Sequence, residues 1–159
     1  LKETWEKESC YGGVFMENVI SGMNGHETKF LKADKPFYPC SEVDYKYKYQ
    51  CYGIQPSYLL HIIDEDFSKA FNFCSRVEKD FIDVCYQSLG REASGSTDED
   101  PIETRDICLK GRDMQQKSNC IIGAVRDFVL EEYSTKKGKK LCEVLPRELK
   151  EVCLVNVNV

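Results

Sequence analysis

Nine cysteines in 159 residues are the side chains with the most chemistry to offer, and eight of them keep a regular spacing. Cys40, Cys74, Cys108 and Cys142 follow at intervals of 34, and Cys51, Cys85, Cys120 and Cys153 at 34, 35 and 33. Sulfur so placed can form disulfides, hold a metal as thiolate, or act as a nucleophile. Structural zinc favours cysteines two to four residues apart, and the chain has no CxxC, so zinc and a thioredoxin-like redox centre are both poorly matched. No CxxCH exists for covalent haem, and no cofactor is implied. The expected disulfides are Cys40–Cys51, Cys74–Cys85, Cys108–Cys120 and Cys142–Cys153. A competing pattern joins the second cysteine of one pair to the first of the next, and eight cysteines allow 105 pairings. Cys10 is left over, paired outside the chain or free as a reactive thiol.

Other reactive groups are sparse. His26 and His61 are the only histidines. His26, with Glu27 beside it, has the chemistry of a base or a ligand, although a solvent-exposed loop histidine accounts for it more simply. The triplets Asp64-Glu65-Asp66 and Asp98-Glu99-Asp100 precede apolar helical stripes, where capping and dipole compensation explain them without catalysis or calcium. There is no GxSxG, HExxH or phosphate-binding glycine loop, and no catalytic residue is nominated. Tyr45-Lys-Tyr-Lys-Tyr-Gln-Cys-Tyr52 interleaves basic and aromatic residues. Tyr52, like Tyr11 and Tyr86 directly after their cysteines, is expected to pack internally. Tyr45 and Tyr49 are candidate contacts for a peptide or glycan, because tyrosine offers large area with few rotors.

The elements that position these residues follow from the spacing. A period in the thirties is the length of a helix-turn-helix unit that stacks on its neighbours. In one continuous helix, 11 residues rise about 16 Å, beyond the roughly 4.4–6.8 Å that a disulfide's Cα atoms tolerate, so each bonded pair needs a turn between its members. Gly111 suits a helix C-terminus and Pro146 the first turn of a new helix. The stretches after Cys40 and Cys74 hold no such breaker and rest on the shared period. Asp64 is expected to cap a helix bearing Phe67, Ala70, Phe71, Cys74 and Val77. After a turn near Glu78, a second stripe holds Phe81, Val84, Cys85, Ser88 and Leu89. Asp100-Pro101 and Glu103 signal the next helix start, and Ser134 another. Ile121, Ala124, Val125, Phe128 and Val129 form a long apolar face.

The expected architecture is all-α: one repeat domain over residues 1–159, a solenoid of about four antiparallel hairpins, each stapled by a disulfide. A partial repeat spans 1–20, and repeats span about 40–62, 63–96, 97–132 and 133–159. Cys10 to Cys51 is 41 positions, so an insertion of seven residues falls within 21–39, a segment with Gly22, Gly25, Pro36 and Pro39. A projecting loop is expected there, and recognition is often placed on such insertions. The closing Val155-Asn-Val-Asn-Val159 alternates like a strand yet sits where a helix should finish.

Length allows about 70 % of the unfolded chain's surface to be buried. Twenty-two basic and 27 acidic residues give a net charge of −5, which argues against a nucleic-acid or anionic-membrane binder. No apolar run approaches a membrane span, and no Asn-x-Ser/Thr sequon occurs. Leu1 leads to the expectation of a removed signal or an excised fragment. Cysteine usage points to a periplasm, cell surface or extracellular space; the alternative is a cytosolic protein using cysteine as a small core residue.

The period and cysteine-tied hairpins, which cover most of the chain, resemble the tetratricopeptide-like superfamily, in particular the cysteine-rich Sel1-like repeat proteins. The resemblance implies a right-handed array of helix pairs whose concave face binds a protein or peptide; some cysteine-rich relatives are associated with cell-wall compounds. The expected function is an interaction module for a protein, peptide or glycan. The alternatives are a metal- or thiol-dependent enzyme on cell-envelope material using Cys10, His26 or the acidic turns, and a self-associating filament subunit.

Overall fold

The computed structural model describes residues 4–157, apart from the side chain of Glu132. The described residues hold eight α-helices and no strand: α1 (Thr4–Met23), α2 (Tyr45–Ile62), α3 (Phe67–Cys74), α4 (Ile82–Ser96), α5 (Pro101–Cys108), α6 (Met114–Glu132), α7 (Thr135–Glu143) and α8 (Arg147–Asn156). They fall into two compact units that meet in sequence between Asp66 and Phe67. No described helix is long and apolar enough to cross a membrane.

All four expected disulfides are present, with Cα–Cα distances of 5.4, 5.7, 5.5 and 5.4 Å, and Cys10 is free and exposed. In the second unit each bridge ties the end of one short helix to the body of the next: α3 to α4, α5 to α6 and α7 to α8. The turn required between bonded cysteines is a short 3-10 turn at Lys79–Phe81 in the first pair. Gly111 lies in the second turn, its N–H donating to the Cys108 carbonyl at 3.2 Å. Pro146 directly precedes α8. α4 packs on α6 and α6 on α8, which buries Leu89, Ala93, Ile121, Ala124, Val125, Phe128, Leu149 and Val157.

In the first unit the expected hairpin over 40–62 is absent. Cys40 lies in a stretch of turns between α1 and α2, and α2 packs against α1 instead. Pro36 and Pro39 explain this, since proline lacks the donor a helix interior needs and restricts the residue before it. α1 also runs on to Met23, so the connection spans residues 24–44 rather than 21–39.

The acidic triplets have a more specific role than capping alone. Asp64 and Glu65 take φ of 54° and 55°, and Asp98 and Glu99 48° and 53°. Both pairs close the preceding helix: Glu65 N–H donates to the Leu60 carbonyl at 2.9 Å and Glu99 N–H to Ser94 at 3.0 Å. Aspartate tolerates the left-handed region better than most residues. Asp64 therefore ends α2 and does not cap α3. Asp100 does cap α5, accepting from Ile102 N–H (2.9 Å) and Glu103 N–H (2.8 Å) with Pro101 in the first helical position. Ser134 caps α7 in the same manner.

α8 continues through Asn156, and Val157 is buried behind it, so the described part of the closing valine-asparagine segment is helical. Asn158 and Val159 of that motif lie outside the described residues.

Candidate functional site

Two adjoining hollows lie along α1 in the first unit. One, of about 250 Å3, is lined by Tyr11, Val14 and Phe15 of α1 and Tyr47 of α2. The other, of about 210 Å3, is lined by Val14, Phe15 and Asn18 with Phe30, Pro39 and Val43 from the 24–44 connection. Val14 and Phe15 belong to both, so the hollows form one apolar groove. Val14 is 63 % exposed and forms its open edge.

The groove's outer wall exists because the connection is pinned instead of projecting. Thr28 Oγ1 donates to Asn18 Oδ1 at 2.7 Å, and Asn18 Nδ2 reaches the Phe30 carbonyl at 3.4 Å. From α2, the Gln55 amide, 1 % exposed, donates to the Pro36 carbonyl (2.8 Å) and the Tyr38 carbonyl (3.0 Å). The Cys40–Cys51 bridge supplies a third anchor. Phe37 packs edge-on against the buried Tyr52 ring, with centroids 5.8 Å apart.

Two ammonium groups sit over aromatic rings that line this groove. Lys46 Nζ is 4.8 Å from the Tyr47 ring centroid, and Lys29 Nζ is 5.1 Å from that of Phe30, both within cation–π range. Tyr47 in turn meets Tyr11 edge-to-face at 4.6 Å. Interaction with Tyr47 raises the Lys46 pKa, with smaller contributions in the same direction from Asp44 and Tyr11. Lys46 therefore stays cationic at any physiological pH.

Cys10, His26, Tyr45 and Tyr49, singled out from sequence, are not among the residues that line this groove. Cys10 is one helical turn before Val14 and exposed. His26 is exposed in the connection. Tyr45 and Tyr49 are exposed at 66 % and 53 %, near the start of α2. Of the three tyrosines expected to pack internally, Tyr52 and Tyr86 are buried, whereas Tyr11 is half-buried and lines the groove. Val14, Phe15 and Phe30 were missed, as was Gln55. The available signal was the pair of basic-aromatic steps, Lys29-Phe30 and Lys46-Tyr47, flanking an otherwise unexplained apolar face of α1.

No family model, curated protein or solved structure matches the chain.

Polar side chains in the second unit form a cross-bonded ladder. Asp83 Oδ1 accepts from Gln115 Nε2 and Asn119 Nδ2, both at 2.9 Å. Gln87 Nε2 donates to Asn119 Oδ1 (2.8 Å), and Arg126 joins Gln87 Oε1 (3.3 Å) to Asn156 Oδ1 (3.0 Å). This connects α4, α6 and α8. Among the described residues, no three His, Cys, Asp or Glu side chains gather as a metal-binding group would.

Proposed function

We propose that the chain is a secreted, cell-surface or periplasmic interaction module, built as a disulfide-stapled helical solenoid with a period of about 34 residues, that binds a protein, peptide or glycan. The observation that carries the reading is a concentration of exposed large apolar side chains on the first unit. Trp5, Met16, Ile20 and Met23 share one side of α1, and Val14, Phe30, Tyr45 and Tyr49 are exposed in the same unit. Patches of this kind mark interaction surfaces when a rigid scaffold supports them. Four disulfides support the oxidising location.

The periodic reading draws support from register. Cys51, Cys120 and Cys153 each occupy the seventh position of their helix, and Cys85 does so when counted from Lys79. The two acidic triplets serve equivalent joins, and the sequential packing of α4, α6 and α8 is how stacked hairpins bury a shared core.

Selection from a displayed peptide library and from a glycan array tests the function. Binders should lose affinity with Tyr45→Ala, Tyr49→Ala or Met16→Glu and keep it with Leu130→Ala, an exposed position of the second unit. Binders indifferent to all three first-unit changes would sink the proposal.

A further inference from the structure

The groove has a more specific chemistry than a general contact surface. Its walls are supplied by Val14, Phe15, Phe30, Pro39, Val43 and the rings of Tyr11 and Tyr47. Its two hollows together reach the lower end of the roughly 300–1,000 Å3 usual for small-molecule sites. Its shape is extended, because α1 carries Tyr11, Val14, Phe15 and Asn18 along successive turns. Each hollow has one lining ring with a lysine ammonium over it: Tyr47 with Lys46, and Phe30 with Lys29. A long apolar trough with a cation at its border is complementary to a molecule with an alkyl chain and an anionic head.

We propose that this groove binds a free, single-chain fatty acid, its alkyl chain along Val14 and Phe15 and its carboxylate at the Lys46 ammonium. The Lys46 end takes the head because its ammonium sits over the phenol ring of Tyr47, which the phenol ring of Tyr11 meets edge-to-face, whereas Lys29 covers the hydroxyl-free ring of Phe30. Asp44 shares that neighbourhood and offsets part of the cation's attraction. The pinned connection gives the site its rigidity. With Gln55 and Asn18 holding the outer wall, little ordering remains to be done on binding. The groove takes Val14 and Phe30 from the exposed apolar set on which the macromolecular reading rests, but not Trp5, Met16, Ile20, Tyr45 or Tyr49, so the two readings are tested at different residues.

Calorimetric titration of the full chain with monomeric sodium laurate and sodium myristate tests the inference. One saturable site is expected, tighter for the longer chain, because each added methylene is removed from water. Dodecanol should bind several-fold more weakly and dodecyltrimethylammonium more weakly still. Lys46→Gln should weaken laurate by about fivefold, the scale of one exposed charge interaction, while leaving dodecanol unchanged. Val14→Glu should remove binding of both; Val14 is exposed, so the fold tolerates the change, and an unaltered circular dichroism spectrum confirms it. Absence of saturable laurate or myristate binding overturns the proposal, as does equal affinity for the cationic detergent. Laurate binding unaffected by Val14→Glu places the ligand elsewhere and overturns it too. Self-association that blocks the titration and is itself abolished by Val14→Glu assigns the groove to a second copy instead.

Discussion

Gly90 of α4 and Gly123 of α6 let the two helices approach backbone to backbone. A Cβ on Gly90 would run into the Cys120 carbonyl, and one on Gly123 into the Gln87 carbonyl. Neither collision involves a side chain that can swing away, so an alanine at either position must push the helices apart. Gly90→Ala and Gly123→Ala are each expected to destabilise by about 1–3 kcal/mol, the cost of overpacking a tight interface. Gly95, also in α4, has open space where its Cβ would be. Gly95→Ala should therefore stabilise by up to about 1 kcal/mol through helix propensity. Urea unfolding of the three variants measures the contrast. Equal effects at 90 and 95 would show that the close approach carries no energy.

The eight bonded cysteines should be alike in their inaccessibility, and Cys10 should stand apart from them. The bonded sulfurs belong to residues with no solvent exposure, whereas Cys10 is exposed. Iodoacetamide on the native, unreduced protein should label Cys10 alone, and non-reducing peptide maps should link only cysteines 11 or 12 positions apart. Replacing Cys108 and Cys120 together with alanine removes one loop constraint and should cost roughly 3 kcal/mol in the chain-entropy account. Labelling of any second cysteine before reduction would contradict the pairing.

What could be read from sequence was the part fixed by local chemistry. A turn between bonded cysteines is a geometric necessity, and Asp100, Ser134 and Pro146 act within three residues of themselves, so their roles were legible. The missing first helix before Cys51 was not, because the shared period outweighed the local signal of Pro36 and Pro39. The groove was hidden for another reason. Its outer wall depends on Gln55, a polar residue in an ordinary helical position that reaches carbonyls 17 and 19 residues away. Gly90 and Gly123 were equally opaque, since a glycine inside a helical pattern reads as a weakness until its neighbour across the interface is known. At the end of the chain, burial of Cys153 and Val157 overrode the strand-like alternation, as tertiary packing commonly overrides propensity.

Gln55 offers a direct probe of the pinned connection. Gln55→Leu keeps a similar volume but withdraws the amide that serves the Pro36 and Tyr38 carbonyls. Loss of these buried hydrogen bonds should destabilise by about 1–3 kcal/mol. The effect should also be local, with faster amide exchange and protease cleavage across residues 28–43 and little change in α6. Uniform loosening of both units would mean that Gln55 supports the core generally and does not hold the groove's wall.

Asp127 sets a pH dependence with a definite sign. Burial pushes its carboxyl above the ordinary aspartate value of 3.8, Ser94 and then Arg91 oppose the shift, and Glu99 and Glu131 reinforce it. An acid whose folded pKa is raised binds its proton more tightly in the native state. Its contribution to stability is therefore fully present below the unfolded value, about 4, and is lost as pH rises through the folded pKa. Above that point the ionised form is held at a cost. Asp127→Asn removes the titration while keeping a similar shape. The stability of the variant minus that of the parent should rise as pH increases from about 4 and then level off. Chemical denaturation of both proteins between pH 3 and 8 gives this difference directly. A difference that stays flat, or that falls with pH, would show that the Asp127 carboxylate is stabilised by its surroundings and not penalised by them.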